Sequence, residues 1–151
     1  MVRRLLVLDL DNTLIHSVQD PPALGRSPAG MREVFHLHSS MFSMHFRPHV
    51  RQFVKALRGM ISASFRVAVW TAAHPEYAKR VLSYLWPEWE TELLFLWTYP
   101  DCSILKSGEV FKDLRKIPLG YDAMLVDDSN THYSINTARS FSVWKIRPFY
   151  L

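Results

Sequence analysis

Along the chain, apolar runs that stop abruptly at acidic or hydroxyl residues alternate with stretches of helical period. Leu5-Leu6-Val7-Leu8 runs unbroken into Asp9, and Asp11 follows two residues on. This is the pattern of a buried central strand in a parallel sheet, covered on both faces. Phe65-Arg66-Val67-Ala68-Val69-Trp70 ends in the same way on Thr71, and Ala123-Met124-Leu125-Val126 on Asp127 and Asp128. Between the first two runs, Val50, Phe53, Val54 and Leu57 recur at helical spacing behind Arg47-Pro48-His49, with Gly59 near the predicted end. A second helix is predicted from His74-Pro75-Glu76, with Tyr77, Val81, Tyr84 and Leu85 inward, stopping before Pro87. Strand, helix and strand at this spacing form a βαβ unit, so the sheet is at least partly parallel.

The remaining pattern is less regular. Pro21, Pro22, Gly25, Pro28 and Gly30 mark the segment after Ile15 as a loop. Residues 33–47 alternate in two short runs around Ser39-Ser40, which predicts a β-hairpin. The stretch 88–106 is rich in aromatic residues and leucine and reads as a buried strand with a loop at Pro100-Asp101. Phe111-Lys112-Asp113-Leu114 is predicted to start a short helical piece ending near Gly120, and residues 140–146 alternate as a last strand. His36, His38 and His45 lie on polar strand positions without a nearby carboxylate or cysteine, so they read as solvent-facing rather than as a zinc site.

Composition narrows the class. The 151 residues, 48% hydrophobic and 21% charged, suit one folded domain spanning 1–151. No segment reaches the roughly 18 uninterrupted apolar residues of a membrane span. Asp9 and Asp11 cut short the signal-like opening Met1-Val2-Arg3-Arg4. Cys102, the one cysteine, can form no internal disulfide and suits a reducing compartment, so an intracellular location, nuclear or cytoplasmic, is expected. The net charge of +4 mildly favours anionic partners such as phosphorylated substrates, and is too small and too evenly spread for a nucleic-acid-binding face. No membrane contact is expected.

In a parallel sheet the three polar strand ends lie on one side, so Asp9, Asp11, Thr71, Asp127 and Asp128 converge. Four carboxylates in one pocket call for a cation, and an all-oxygen donor set favours Mg²⁺ over zinc. Thr71 can donate to a phosphate oxygen, and Lys112 can supply a compact positive charge for the same group. A nucleophile, a metal, a hydroxyl and an ammonium make a phosphoryl-transfer site.

Asp9-Leu10-Asp11-Asn12-Thr13 resembles the first motif, Asp-x-Asp-x-Thr, of the haloacid dehalogenase (HAD)-like phosphatases. Arg47-Pro48-His49-Val50, Trp70-Thr71-Ala72-Ala73, Tyr77-Ala78, Lys112-Asp113-Leu114 and Val126-Asp127-Asp128-Ser129 extend the likeness to the FCP/SCP-like branch. This branch, also called the NIF family, contains the RNA polymerase II C-terminal-domain phosphatases. The similarity runs from about residue 3 to residue 147, nearly the whole chain. It implies an α/β, Rossmann-like three-layer sandwich with a mostly parallel central sheet. A β-hairpin would follow the first motif, and a small insertion at about 88–106 would replace a large cap.

The resemblance further implies Asp9 as the nucleophile, forming an aspartyl-phosphate, and Asp11 as the general acid and then base. Thr71, Lys112 and Asn12 would hold the phosphoryl group. Asp9, Asp127 and Asp128, with the Asp11 carbonyl, would bind Mg²⁺. The implied activity is Mg²⁺-dependent hydrolysis of phosphoserine or phosphothreonine in a protein or peptide, the polymerase tail being one such substrate. Gln19, His74 and Tyr77 fall on the pocket that receives a substrate proline in the small family members. Gln19 and His74 are polar where those members are apolar, and Asp127-Asp128-Ser129-Asn130 replaces their Asp-Asn-Ser-Pro. The alternatives are a capless phosphatase of small molecules, nucleotides or phosphotyrosine, and a non-catalytic binding module on the same fold. The presence of Asp9, Asp11, Thr71, Lys112 and Asp127 argues against the last of these.

Overall fold

The computed structural model describes residues 2–28, 30–129 and 141–150. In chain order its strands are β1 (Arg3–Leu8), β2 (Ile15–Gln19), β3 (Arg32–Leu37), β4 (Ser40–Phe46) and β5 (Phe65–Trp70). They continue as β6 (Leu96–Trp97), β7 (Ser103–Ile104), β8 (Val110–Phe111), β9 (Tyr121–Asp127) and β10 (Ser142–Lys145). The helices are α1 (Val50–Met60), α2 (Pro75–Leu85) and the single turn α3 (Trp89–Glu92).

A five-stranded sheet in the order β10-β9-β1-β5-β6 forms the centre, and every pairing in it is parallel. The unbroken apolar runs follow from burial of both its faces. Leu6 and Leu8 of β1, with Val67 and Val69 of β5, join the core built with Val54 and Leu57 of α1 and Val81, Leu82 and Leu85 of α2. Leu5 and Val7, with Ala68, Trp70, Ala123 and Leu125, point the other way onto Leu114 and Ile117, where Phe95 and Trp97 also pack. Alternation at period two thus feeds two separate cores from one strand. Each fully buried leucine or valine contributes roughly 1.5–3 kcal/mol.

The predicted hairpin is β3–β4, closed by His38-Ser39 with His38 in the left-handed region at φ 55°. The segment after Ile15, expected to be a loop, begins instead as β2. It pairs antiparallel with β4 from Ile15↔Phe46 to Gln19↔Phe42 and makes a three-stranded sheet, β2-β4-β3. His16, Ser17 and Gln19 gave no apolar periodicity to read, and it is the neighbouring β4 edge that makes these residues a strand.

Other boundaries also shift. Phe53 of α1 is 40% exposed rather than inward, and Gly59 lies inside the helix, which runs on to Met60. The aromatic stretch 88–106 is not one buried strand. It holds α3, the two-residue β6 at the sheet edge, a 3₁₀ turn at Tyr99–Asp101 and β7. Its rings pack laterally, with Phe95 on Trp97 at 3.8 Å and Trp97 edge-on to Trp70 at 4.7 Å. Phe111 belongs to β8, paired with β7, and the helical piece shrinks to a 3₁₀ turn, Leu114–Lys116, capped by Asp113. The last strand is β10; its expected first residue, Ser140, lies outside the described residues.

Candidate active site

The ends of β1, β5 and β9 open into a pocket of about 410 Å³. Asp9, Asp11, Thr71, Lys112, Asp127 and Asp128 line it, with Cys102 and Val110 on its wall. Parallel pairing is what brings these groups together. Leu8 faces Val69 on one side and Val126 on the other, so the residues just beyond each strand share one edge.

Asp9 is buried and held at both oxygens. Thr13 donates its hydroxyl to Oδ2 at 2.8 Å, and Lys112 Nζ donates to Oδ1 at 2.8 Å. Lys112, only 2% exposed, also donates to Asp127 Oδ2 at 2.5 Å. Burial works against the ammonium, but Asp9 and Asp127 together outweigh it and hold the Lys112 pKa above its ordinary value. Asp127 is fixed by a second bond, from the Ser129 main-chain N–H to Oδ1 at 2.9 Å. Thr71 accepts the Ala73 N–H at its hydroxyl oxygen, 3.1 Å away, which leaves the hydroxyl proton for another acceptor.

Asp11 faces the pocket but turns one oxygen aside, where Tyr77 donates its hydroxyl to Oδ1 at 2.6 Å. Its pKa is pushed up to about 6, chiefly by burial. The charge of Asp9 adds to the rise, whereas Tyr77 and Lys112 pull against it. A carboxyl poised there can carry a proton near neutral pH. Asp128 is pushed up to about 7, first by burial and then by the charges of Asp9 and Asp127. Asp9 and Asp127 thus both work against a negative charge on Asp128.

Asp9, Asp127 and Asp128 each place an oxygen within 4.8 Å of the others. A compact set of three carboxylate oxygens fits a hard cation such as Mg²⁺. The Asp11 carboxylate, engaged by Tyr77, is not one of the three. Among the described residues no such cluster includes His36, His38 or His45.

Asn12 is not brought to the pocket wall. Its Oδ1 meets His16 Nδ1 at 2.9 Å, and its backbone sits at φ 63°, a left-handed position that asparagine tolerates well. The residue serves the tight turn after β1, where Asn12, Thr13, Leu14 and Ile15 bond back on one another and on Leu10. Arg47 fixes the same turn, donating to the carbonyls of Thr13 at 2.6 Å, Asn12 at 3.3 Å and Arg147 at 2.6 Å. Neither Thr13 nor Arg47 was singled out from the sequence as a site residue, although both lie in the quoted motifs. The aromatic segment at residues 89–99 does not line this pocket; Cys102 and Val110 stand on its wall.

Gln19, His74 and Tyr77 do come together, in an adjoining cavity of about 450 Å³ that shares Ala73 with the first. Leu37 and Phe42 supply apolar wall that the sequence did not reveal, because the β3–β4 hairpin reaches the site only through the pairing of β4 with β2, where Gln19 faces Phe42. The rim is polar: Gln19 donates to Ser40 at 2.9 Å, and His38 meets Glu76 at 2.8 Å.

Residues 4–150 match the model of the NLI interacting factor-like phosphatases. The chain belongs to this family. It is 28% identical over 145 residues to Nuclear envelope morphology protein 1 of Schizosaccharomyces pombe, covering 93% of this chain and 29% of that protein. To CTD nuclear envelope phosphatase 1B of Danio rerio it is 30% identical over 134 residues, 85% of this chain and 52% of the other. The chain thus spans from under a third to about half of the length of these relatives. In fold it resembles the solved structure of Fcp1, an essential RNA polymerase II CTD phosphatase. That likeness has a TM-score of 0.74 at 22% identity, over 98% of this chain and 42% of that one. A beryllium fluoride-bound form of fission yeast Fcp1 matches with a TM-score of 0.70 at 21% identity, over 97% and 42%. The central parallel sheet is therefore that of the HAD-like α/β fold.

Proposed function

We propose that this chain is a Mg²⁺-dependent protein phosphatase acting on phosphoserine or phosphothreonine through an aspartyl-phosphate. The observation that carries the reading is the buried Lys112 bridging Asp9 and Asp127 at the floor of a pocket that also presents Asp11 and Thr71. Two carboxylates buried on one ammonium are costly unless the arrangement serves a ligand.

In the first step an Asp9 oxygen forms a bond to phosphorus, and the bond from phosphorus to the substrate oxygen breaks. Asp11 gives its proton to that leaving oxygen. In the second step a water attacks phosphorus and Asp11 takes the water's proton. The bond to Asp9 then breaks and inorganic phosphate leaves. Thr13 and Lys112 hold Asp9 for attack, and Lys112 and the Thr71 hydroxyl balance charge on the phosphoryl oxygens. Mg²⁺ held by Asp9, Asp127 and Asp128, together with the Asp11 carbonyl, would screen the anionic substrate from the nucleophile.

The whole chain's placement in the family supports a phosphorylated protein as substrate. The relatives are named for the nuclear envelope and for the polymerase tail, so we infer an intracellular phosphoprotein as the target. Among the described residues no helix is long and apolar enough to cross a membrane. The side cavity lined by Gln19, His74 and Tyr77 would receive a side chain beside the phosphoresidue.

The test sets phosphoserine and phosphothreonine peptides against small phosphate esters and phosphotyrosine peptides, with and without Mg²⁺. Mg²⁺-dependent turnover highest on phosphoserine or phosphothreonine peptides supports the reading. Preference for a metabolite, or peptide binding without turnover, overturns it in favour of a small-molecule phosphatase or a binding module.

A further inference from the structure

From the end of β10 the chain skirts one side of the phosphate pocket. Lys145 pairs with Asp127 across the β10–β9 register, and the Ile146 N–H donates to the Asp127 carbonyl at 2.9 Å. Further on, the Phe149 N–H donates to the carbonyl of Asn12, the neighbour of Asp11, at 2.7 Å. Between these two moorings Arg47 Nη2 donates to the Arg147 carbonyl at 2.6 Å. Residues 145–149 therefore run from the end of β9 to the turn after β1, along the edge where Asp127 and Asp11 line the pocket. In the strand order β10-β9-β1-β5-β6 this segment lies on the β9 side of Asp9, which follows β1. The side cavity, with Ala73 and Tyr77 beyond β5, lies on the other side.

Two cations stand on the segment, Lys145 and Arg147, and both are exposed. Among the described residues neither side chain has an ion pair or a hydrogen bond. The other cations nearby are already engaged, Lys112 by Asp9 and Asp127, and Arg47 by the carbonyls of Asn12, Thr13 and Arg147. A main chain fixed at three points beneath two open cations lowers the ordering cost of binding there. Neighbouring strands lie about 4.8 Å apart and an extended peptide advances roughly 3.4 Å per residue, so these cations can reach residues about one to three positions from a phosphoresidue. The pocket itself, lined by Asp9, Asp11, Asp127 and Asp128, repels further negative charge on a substrate. Open cations beside it offset that repulsion for an acidic flank.

We propose that Lys145 and Arg147 form a cationic rim that selects phosphopeptides carrying aspartate or glutamate on one flank of the phosphoresidue, the flank directed away from the side cavity. This deepens the reading of the chain as a protein phosphatase and rests on it. The two flanks of a substrate meet opposite chemistries, apolar wall on the β5 side and open positive charge on the β9 side. Exposed charges of this kind govern encounter and partner choice, and their effect is modest and falls with salt.

The test is a set of phosphoserine peptides with glutamate, alanine or lysine on one flank and alanine on the other, and the same set with the flanks exchanged. The quantity is kcat/KM in Mg²⁺, at low salt and at about 0.5 M salt. In the wild type, glutamate should exceed alanine by about fivefold on one flank only, with lysine below alanine, and the ratio should approach one in high salt. Lys145→Glu combined with Arg147→Glu should reverse the order on that flank, placing lysine above glutamate. Each ratio is taken within one variant, so a general loss of activity cancels. Should the double variant fail to fold, Lys145→Ala and Arg147→Ala decide, each reducing the glutamate preference by about twofold. Equal gains on both flanks, no preference at low salt, or a preference indifferent to these substitutions would overturn the rim and leave the phosphatase reading intact. A wild-type chain that turns over none of the peptides would bring down the protein phosphatase reading, and this inference with it.

Discussion

The two adjoining spaces at the sheet edge are built by opposite means. The phosphate pocket gathers carboxylates from the ends of parallel strands around Lys112; Asp9, Thr71, Lys112 and Asp127 are buried in it, and Asp11 and Asp128 half-buried. The side cavity is walled by Leu37, Phe42, Ala73 and Tyr77, and its polar groups, Gln19 and His38, sit at the rim already paired with Ser40 and Glu76. Charge taken out of water must be compensated with close geometry, so a single substitution in the first space should have large consequences. An apolar wall with a solvated rim tolerates exchange. The first space would then fix the reaction, and the second would tune the substrate.

The sharpest contrast is in turnover. Asp9→Asn removes the nucleophile while keeping the shape, and should lower kcat by on the order of 10⁴-fold. His74→Leu in the side cavity should change it only a few-fold. Residual activity of more than a trace in Asp9→Asn, measured by phosphate release, would defeat the aspartyl-phosphate route.

Stability should divide in the same way. Lys112→Ala leaves Asp9 and Asp127 facing each other without their ammonium, and is expected to cost about 3–5 kcal/mol at neutral pH. Gln19→Ala, at an exposed position, should fall within about 0.5 kcal/mol. Urea melts of both variants would check this. A Lys112→Ala cost as small as that of Gln19→Ala would show that the bridge is not what holds the pocket.

The same contrast explains what could be read in the sequence. Each strand of the phosphate pocket announces itself locally, as an apolar run cut off by Asp9, Thr71 or Asp127, and the parallel order follows from the intervening helices. The side cavity depends on β2 and β4 pairing across more than twenty residues, so neither Ser17 nor Phe42 carries a local signal of where it ends up. Asn12 is hard to read for a related reason. A residue required by a left-handed backbone looks, in sequence, like a residue required by a ligand. The aromatic stretch misled because only Leu96–Trp97 of it forms a strand, while its rings pack sideways, Phe95 on Trp97 and Trp97 on Trp70.

Metal and proton should compete for the carboxylates. The folded-state pKa values of Asp11 and Asp128, about 6 and about 7, lie above the ordinary value of 3.8. The unfolded chain gives up these protons first, so across that interval the folded state holds more of them and stability falls as pH rises. In metal-free buffer Tm should therefore drop between about pH 5 and about pH 8 by more in wild type than in Asp128→Asn. Mg²⁺ at a hundredfold excess over its Kd should add roughly 2.7 kcal/mol at the upper end of the range and flatten the slope. Scanning calorimetry over this range tests both. Equal slopes in wild type and Asp128→Asn, or a Tm indifferent to Mg²⁺, would count against the cluster as a cation site.

The smallest effect belongs to the side cavity. A proline beside the phosphoserine would find apolar wall in Leu37, Phe42 and the Tyr77 ring, but polar edges in Gln19 and His74. Covering those edges without new partners costs about 1–3 kcal/mol, which offsets much of the apolar contact. The expected preference for proline over alanine in matched phosphoserine peptides is therefore below about tenfold in kcat/KM, or 1.4 kcal/mol of transition-state binding. Gln19→Phe combined with His74→Leu should raise it, because both edges become apolar while the cavity keeps its walls. A wild-type preference well above tenfold would instead show that Leu37 and Phe42 suffice to bind the ring. The polar rim would then be a solvated lip, not a determinant of what enters.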